Sequence, residues 1–131
     1  TLSDVRMKNL KGTYDRGLPD IIKLQPVRFT YKEGNPRGLN SDSEQIGFIA
    51  QEVQKIFPEA VSEAKDGYLD FNIHAVNVAM VNAIKELKAE NDRLKAENEQ
   101  VIRRIEKLEK LMQVDVKNAG DSSFPNPSFG P

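Results

Sequence analysis

From Asn77 onward the chain carries apolar residues at alternating intervals of three and four. With Ile84 at position a of a heptad, the a positions read Asn77, Ile84, Asn91, Asn98, Ile105 and Met112. The d positions read Met80, Leu87, Leu94, Val101 and Leu108. A sustained period of about 3.5 predicts a helix that supercoils with others, because a lone helix would leave the whole stripe in water. Asn91 and Asn98 lower the stability of such a seam and fix its register and partner number; two or three strands both accommodate them. Between Lys85 and Lys110 eight basic residues accompany seven acidic ones, so the outer faces are close to neutral. Glu90 with Lys95, and Arg104 with Glu109, have the g-to-e spacing of interhelical ion pairs, which set register more than stability.

Residues 1–76 follow another pattern: short apolar runs cut by turn signals, as in a small α+β unit. Ile21-Ile22-Lys23-Leu24 closes a short helix that Pro26 stops, since Gln25 before proline is biased to extended backbone. Val27-Arg28-Phe29-Thr30-Tyr31 alternates apolar and polar, which predicts a half-buried strand. Gly34 to Ser43 is rich in Gly, Asn, Pro and Ser and reads as a surface loop. Ile46-Gly47-Phe48-Ile49 predicts a second strand. Gln51 to Phe57 predicts a short helix with Val53, Ile56 and Phe57 facing inward and Pro58 ending it. Asp66-Gly67 marks a tight turn into a further strand, Tyr68-Leu69-Asp70-Phe71. So few and such short elements bury little apolar surface, and modest stability is expected of this unit by itself. Residues 77–112 form the coiled-coil segment. Residues 113–131 read as a Gly-, Pro- and Ser-rich tail. There Pro125, Pro127 and Pro131, with Gly120 and Gly130, leave no room for a helix or central strand, and Phe124 and Phe129 are the aromatic groups.

A length of 131 residues suits one small domain, and 38% apolar with 30% charged residues suits a modest core plus a heavily solvated element. The net charge of -1 gives no global attraction to nucleic acid or membrane. There is no cysteine, which excludes disulfides and thiolate metal sites and leaves folding in a reducing cytosol unobstructed. No apolar run approaches the ~20 residues of a membrane span, and no signal peptide is visible. A basic leucine zipper would need a basic stretch just before the heptads. Phe71 to Met80 is instead apolar and neutral, which argues against DNA reading. The chain opens on Thr1-Leu2-Ser3-Asp4 without an initiator Met, as expected of a fragment or processed product.

Ordinary catalytic sites are scarce. The single histidine, His74, lies among Phe71, Ile73 and Val76 and reads as a satisfied structural residue. No cluster has metal-ligand spacing, and no glycine pair forms a phosphate loop. What remains is Ser3-Asp4-Val5-Arg6-Met7-Lys8. By itself Ser3 would serve as a helix N-cap, with Asp4 favourable in the first turn. The alternative is a Ser-Lys dyad: a serine hydroxyl attacks only once a base takes its proton, and a lysine does so when burial favours its neutral form. Five positions separate Ser3 and Lys8, which is about 140° around a helix and opposite faces of a strand. A dyad within one chain therefore needs irregular backbone; otherwise the two groups come from neighbouring subunits.

Taken together the motifs resemble a known family. Ser3-Asp4-x-Arg6-x-Lys8 is followed by Leu24-x-Pro26-Val27-x-Phe29-x-Tyr31 and by Ile46-Gly47-Phe48-Ile49-Ala50-Gln51-Glu52-Val53. Then come Phe57-Pro58-Glu59-x-Val61, Gly67-Tyr68-Leu69 and a helix running into a coiled coil. This order, from residue 2 to about 110, resembles the intramolecular chaperone auto-processing domain, peptidase family S74, of phage endosialidase tail spikes, tail fibres and neck appendages. The domain also occurs inside the eukaryotic myelin regulatory factor. Gln45 departs from the pattern, since many members carry histidine before the Ile-Gly pair.

The resemblance implies a homotrimer of small mixed domains, each followed by a long coiled-coil helix. It implies a chaperone that helps a preceding β-rich stalk fold and then releases itself by autoproteolysis, a single-turnover hydrolase acting in virion assembly. Ser3 is then the nucleophile and Lys8 its base. Asp4 and Arg6 orient the site, and Gln51 and Glu52 support it or the subunit contact. The trimer seam comprises Ile84, Leu87, Asn91, Leu94, Asn98, Val101, Ile105 and Leu108. The partners are two further copies and the stalk of its own precursor, with no nucleic acid, membrane, metal or cofactor. The location is the host cytoplasm during phage assembly, with release from the mature virion protein. Attack by Ser3 within its own chain reaches the Leu2 carbonyl through a five-membered ring, so the cut falls between Leu2 and Ser3; attack across subunits leaves Ser3–Asp4 open. Two alternatives stand beside this: a non-catalytic trimerisation foot, and the same domain in a membrane-tethered transcription factor. The short proline-rich ending favours a chain terminus and hence the phage setting.

Overall fold

The computed structural model describes residues 1–120 and Gly130. Thr1–Lys88 form one compact unit, and the described residues from Ala89 onward belong to a second. The first unit begins with a single 3-10 turn, Val5–Met7, and a four-residue helix α1, Leu18–Ile21. Two hairpins follow. β1 (Val27–Phe29) pairs antiparallel with β2 (Gln45–Gly47), Arg28 facing Ile46. After α2 (Ala50–Gln54) and a 3-10 turn at Pro58–Ala60, β3 (Val61–Glu63) pairs antiparallel with β4 (Leu69–Phe71). The long helix α3 runs from His74 to Gly120. The architecture is thus mixed: short antiparallel strand pairs plus a long C-terminal helix.

The core follows from apolar spacing on α2 and on the start of α3. Val53 and Phe57 are almost fully buried, at 1% and 0% exposure. With Ala60 they meet Val76 and Ala79 of α3, while Ile21, Leu24, Phe48, Ile56, Val61 and Phe71 close the rim. Phe48 and Phe71 contact edge to face at 5.6 Å, which ties the two hairpins together. On α3 the residues facing this core, Val76, Ala79 and Ala83, fall at heptad positions g, c and g, and their small size lets the helix approach closely. The a and d residues are turned elsewhere. Met80, Ile84 and Leu87 in the first unit, and Leu94, Val101, Ile105 and Leu108 in the second, are all exposed.

Several elements are shorter or longer than their sequence patterns. The first helix ends at Ile21, and β1 and β2 stop at Phe29 and Gly47, where their mutual pairing ends. β3 is not anticipated by its own three residues; it forms because the Asp66-Gly67 turn folds β4 back onto it, with Gly67 at φ +82°. α3 starts before Asn77 and continues past Met112, since no glycine or proline interrupts the chain until Gly120. Phe124, Phe129 and the three prolines of the tail lie outside the described residues. His74 is not the packed histidine its neighbours suggest. It is exposed on the first turn of α3, where its backbone N–H donates to Asn72 Oδ1 at 2.9 Å.

The long polar segment before α1 is held by side chains far away in sequence. Asn82 Nδ2 donates to the carbonyls of Tyr14 and Arg16 at 2.7 and 2.8 Å. Glu86 accepts from the Leu18 N–H at 2.6 Å and lies against Gly17, where an added Cβ would stand 2.5 Å from Glu86 Oε1. Gly17→Ala should therefore swing the Glu86 carboxylate away and break that bond. The expected cost is about 1 kcal/mol, seen as a fall of several degrees in melting temperature. An unchanged melting temperature would show that this bond contributes nothing.

Candidate functional site

The segment Ser3 to Lys8 is neither helix nor strand throughout, and that irregularity joins its two ends. Asp4 is extended (φ -66°, ψ 130°), the next three residues make one 3-10 turn, and Lys8 is extended again (φ -125°, ψ 137°). Asp4 closes the turn twice. Its carbonyl accepts from the Met7 N–H at 3.1 Å, and its carboxylate accepts from the Arg6 N–H at 2.8 Å. The Arg6 guanidinium then grips the same carboxylate through Nε and Nη2, the latter at 2.7 Å. The Arg6 side chain, and after it the Arg6 N–H, hold the Asp4 carboxyl below the usual aspartate range. Asp4 and Arg6 thus make a small self-contained brace.

With the turn closed, the side chains on either side of it meet. Lys8 Nζ donates to Ser3 Oγ at 2.6 Å. Asp4, not Ser3, is the N-cap, so the serine hydroxyl has no capping role and is available to the lysine. The backbone here is irregular within one chain, and it brings Ser3 and Lys8 within hydrogen-bond distance. Both side chains are exposed.

The same segment carries an apolar surface that local pattern reading does not flag. Leu2, Val5, Met7 and Leu10 are 71%, 65%, 70% and 78% exposed. Four large apolar groups on ten residues, all facing water around a close serine–lysine pair, make a surface suited to being covered.

The remaining candidates lie apart. Gln51 and Glu52 sit on the exposed side of α2, and Glu52 pairs with Lys55 at 3.1 Å. Among the described residues no hydrogen bond joins either one to Ser3, Asp4, Arg6 or Lys8. Along α3 the Glu90 carboxylate accepts from Arg93 of its own helix, which also reaches Glu97. Among the described residues there is no group of three or more potential metal ligands, and no helix long and apolar enough to cross a membrane.

Sequence reasoning missed a second polar cluster, around Glu59. Tyr14 O–H donates to Glu59 Oε1 at 2.6 Å, and Arg16 bridges Glu59 and Asp20 while its guanidinium lies 5.5 Å over the Phe57 ring. Desolvation first, and Glu59 second, push the Tyr14 hydroxyl up to about 12, so it remains a proton donor. In the sequence each of these residues looks like one more solvated side chain. Only the fold brings Tyr14 to Glu59, 45 positions away.

Residues 3–62 match the family model Peptidase_S74, described as the chaperone of endosialidase. The match begins on Ser3 and ends inside β3. It is narrower than the run of motifs in the sequence: Gly67-Tyr68-Leu69 and the heptads lie beyond it.

Proposed function

We propose, from the premise that residues 3–62 belong to the peptidase S74 family of endosialidase chaperones, that this chain is a self-cleaving trimerisation chaperone whose nucleophile is Ser3 and whose base is Lys8. The observation that carries the reading is the 2.6 Å contact between Lys8 Nζ and Ser3 Oγ, made across an Asp4-capped turn with no other evident role. Asp4 and Arg6 act as positioning residues by bracing that turn.

The chemistry runs as an N-to-O acyl shift. With lysine as the free amine, Nζ accepts the Ser3 hydroxyl proton, and Oγ attacks the Leu2 carbonyl carbon through a five-membered ring. The Leu2–Ser3 C–N bond breaks, the proton on Nζ passes to the departing nitrogen, and Leu2 is left esterified to Oγ. Water then hydrolyses the ester, giving a Leu2 carboxylate upstream and a free Ser3 amine on the released chaperone. A lysine works as a base only when desolvation favours its neutral form. Ser3 and Lys8 are exposed in the single chain, so the cover must come from another surface. The apolar ring of Leu2, Val5, Met7 and Leu10 supports docking against a neighbouring subunit, and the exposed a/d stripe of α3 supports the assembly that brings one. Cleavage would then report completed assembly. The seam from Ile84 to Leu108 joins three copies. The partner folded before release is the β-rich stalk of the chain's own precursor, in a phage tail spike, tail fibre or neck appendage assembled in the host cytoplasm.

The test is a precursor extended upstream of Thr1 and purified after folding. The released product should begin at Ser3 by N-terminal sequencing, with the matching mass, and should sediment as a trimer. A precursor of constant mass that still trimerises would leave only an inert oligomerisation foot. A product beginning at Asp4 would move the attack to the far side of the serine.

A further inference from the structure

The β3–β4 turn holds the only Asp-Gly or Asn-Gly step in the chain, Asp66-Gly67. Such a step is chemically exposed in any polypeptide. The Gly67 nitrogen can attack the Asp66 side-chain carbon and expel water to give a succinimide. Water then reopens the ring at either carbonyl, leaving aspartate or, with the backbone rerouted through the side chain, isoaspartate. Glycine offers no side chain to hinder the attack, and this one already holds a positive φ of +82°. The structure occupies both reacting partners. The Gly67 N–H is tied to the Ala64 carbonyl at 2.9 Å. The Asp66 carboxylate is gripped end-on by Arg37, Nε to Oδ2 at 2.8 Å and Nη2 to Oδ1 at 2.9 Å, and Oδ1 also accepts from the Tyr68 N–H at 3.1 Å. Arg37 comes from the loop between β1 and β2, lies 5.8 Å over the Tyr68 ring and reaches Asp70 with its remaining nitrogen.

We propose that Asp66-Gly67 is this chain's site of spontaneous isoaspartate formation and that Arg37 is the clamp that holds it shut. The clamp acts on geometry, by engaging both carboxylate oxygens through the guanidinium. It also acts on protonation. Water leaves readily only from the neutral acid, and the Arg37 side chain first, with the Tyr68 N–H second, holds Asp66 down to about 2. At neutral pH this makes the reactive form rarer than in a free aspartate of pKa about 3.9. Isomerisation would add a backbone carbon inside the turn and spoil the Glu63–Leu69 pairing on which β3 depends.

The full chain and Arg37→Ala would be aged near neutral pH, with isoaspartate at residue 66 read by peptide mapping. Exchange protection of the Phe57 amide, bonded to the Val53 carbonyl in the core, would be followed in parallel. The variant should accumulate isoaspartate roughly 10- to 100-fold faster, the range set by the lost depression of the carboxyl, while the Phe57 amide stays protected. Wild-type rates in the variant would overturn the proposal. So would acceleration that appears only together with loss of Phe57 protection, since general unfolding would then explain it. Should Arg37→Ala fail to fold, Arg37→Lys keeps the charge and loses the two-pronged grip; it should still speed the reaction severalfold, and wild-type behaviour there would equally overturn the clamp.

Discussion

Ser3→Ala in an upstream-extended precursor is expected to stop self-cleavage while leaving folding and assembly intact. The hydroxyl is the only group removed. Ser3 is exposed, it caps no helix, and among the described residues its side chain meets only Lys8, so the fold loses almost nothing. On the proposed reading the reaction loses its nucleophile. Losses of about 10³-fold or more are typical when a nucleophile or its base is deleted. Lys8→Met keeps the length of the side chain and should fall similarly. Asp4→Ala tests the brace: the turn loses its cap and the Arg6 grip, and cleavage should slow without vanishing because both reacting groups remain. Continued cleavage of the Ser3→Ala precursor at the parent rate would end the dyad assignment, whatever the oligomeric state.

Legibility in the sequence divides by range of interaction. The long helix was readable because its heptad pattern repeats within one element, and the hairpin turn at Asp66-Gly67 because a single residue pair dictates it. The boundaries were not. Strand length here is decided by the partner strand, and β3 has no apolar alternation of its own. The site was half readable. Helical and extended arithmetic both keep Ser3 and Lys8 apart, so the sequence could say only that something irregular or a second subunit was required. What brings the two side chains together is a three-residue 3-10 turn stabilised by one aspartate. The Glu59 cluster and the Asn82 and Glu86 anchors were invisible, because polar residues 43 to 68 positions apart carry no local signal of meeting. One helix also serves two surfaces. Its g and c positions face the domain core while its a and d positions stay open, and a reading that asks only for the heptad seam sees the second and misses the first.

Phe57→Ala should cost more stability than any other single truncation in the first unit. Phe57 is the largest fully buried side chain, and it sits where α2, the Pro58–Ala60 turn and α3 converge. Its immediate buried neighbours, Val53, Ala60, Val76 and Ala79, are small, so they cannot collapse far into the space a missing ring leaves. Deleting a buried phenylalanine costs about 3–5 kcal/mol under such conditions. A folded domain commonly holds only about 0.05–0.15 kcal/mol per residue, so that loss consumes most of what a unit of this size possesses. The damage also reaches the polar cluster, because Arg16 rests on the Phe57 ring while it bridges Glu59 and Asp20. The a/d stripe beyond Ala89 is untouched by the change. The variant should therefore keep most of its helical circular dichroism and its assembly state while losing near-ultraviolet signal and cooperative urea unfolding of the small domain, and a precursor carrying it should no longer cleave. A measured destabilisation below about 1 kcal/mol would mean the core relaxes around the cavity far better than its small neighbours allow.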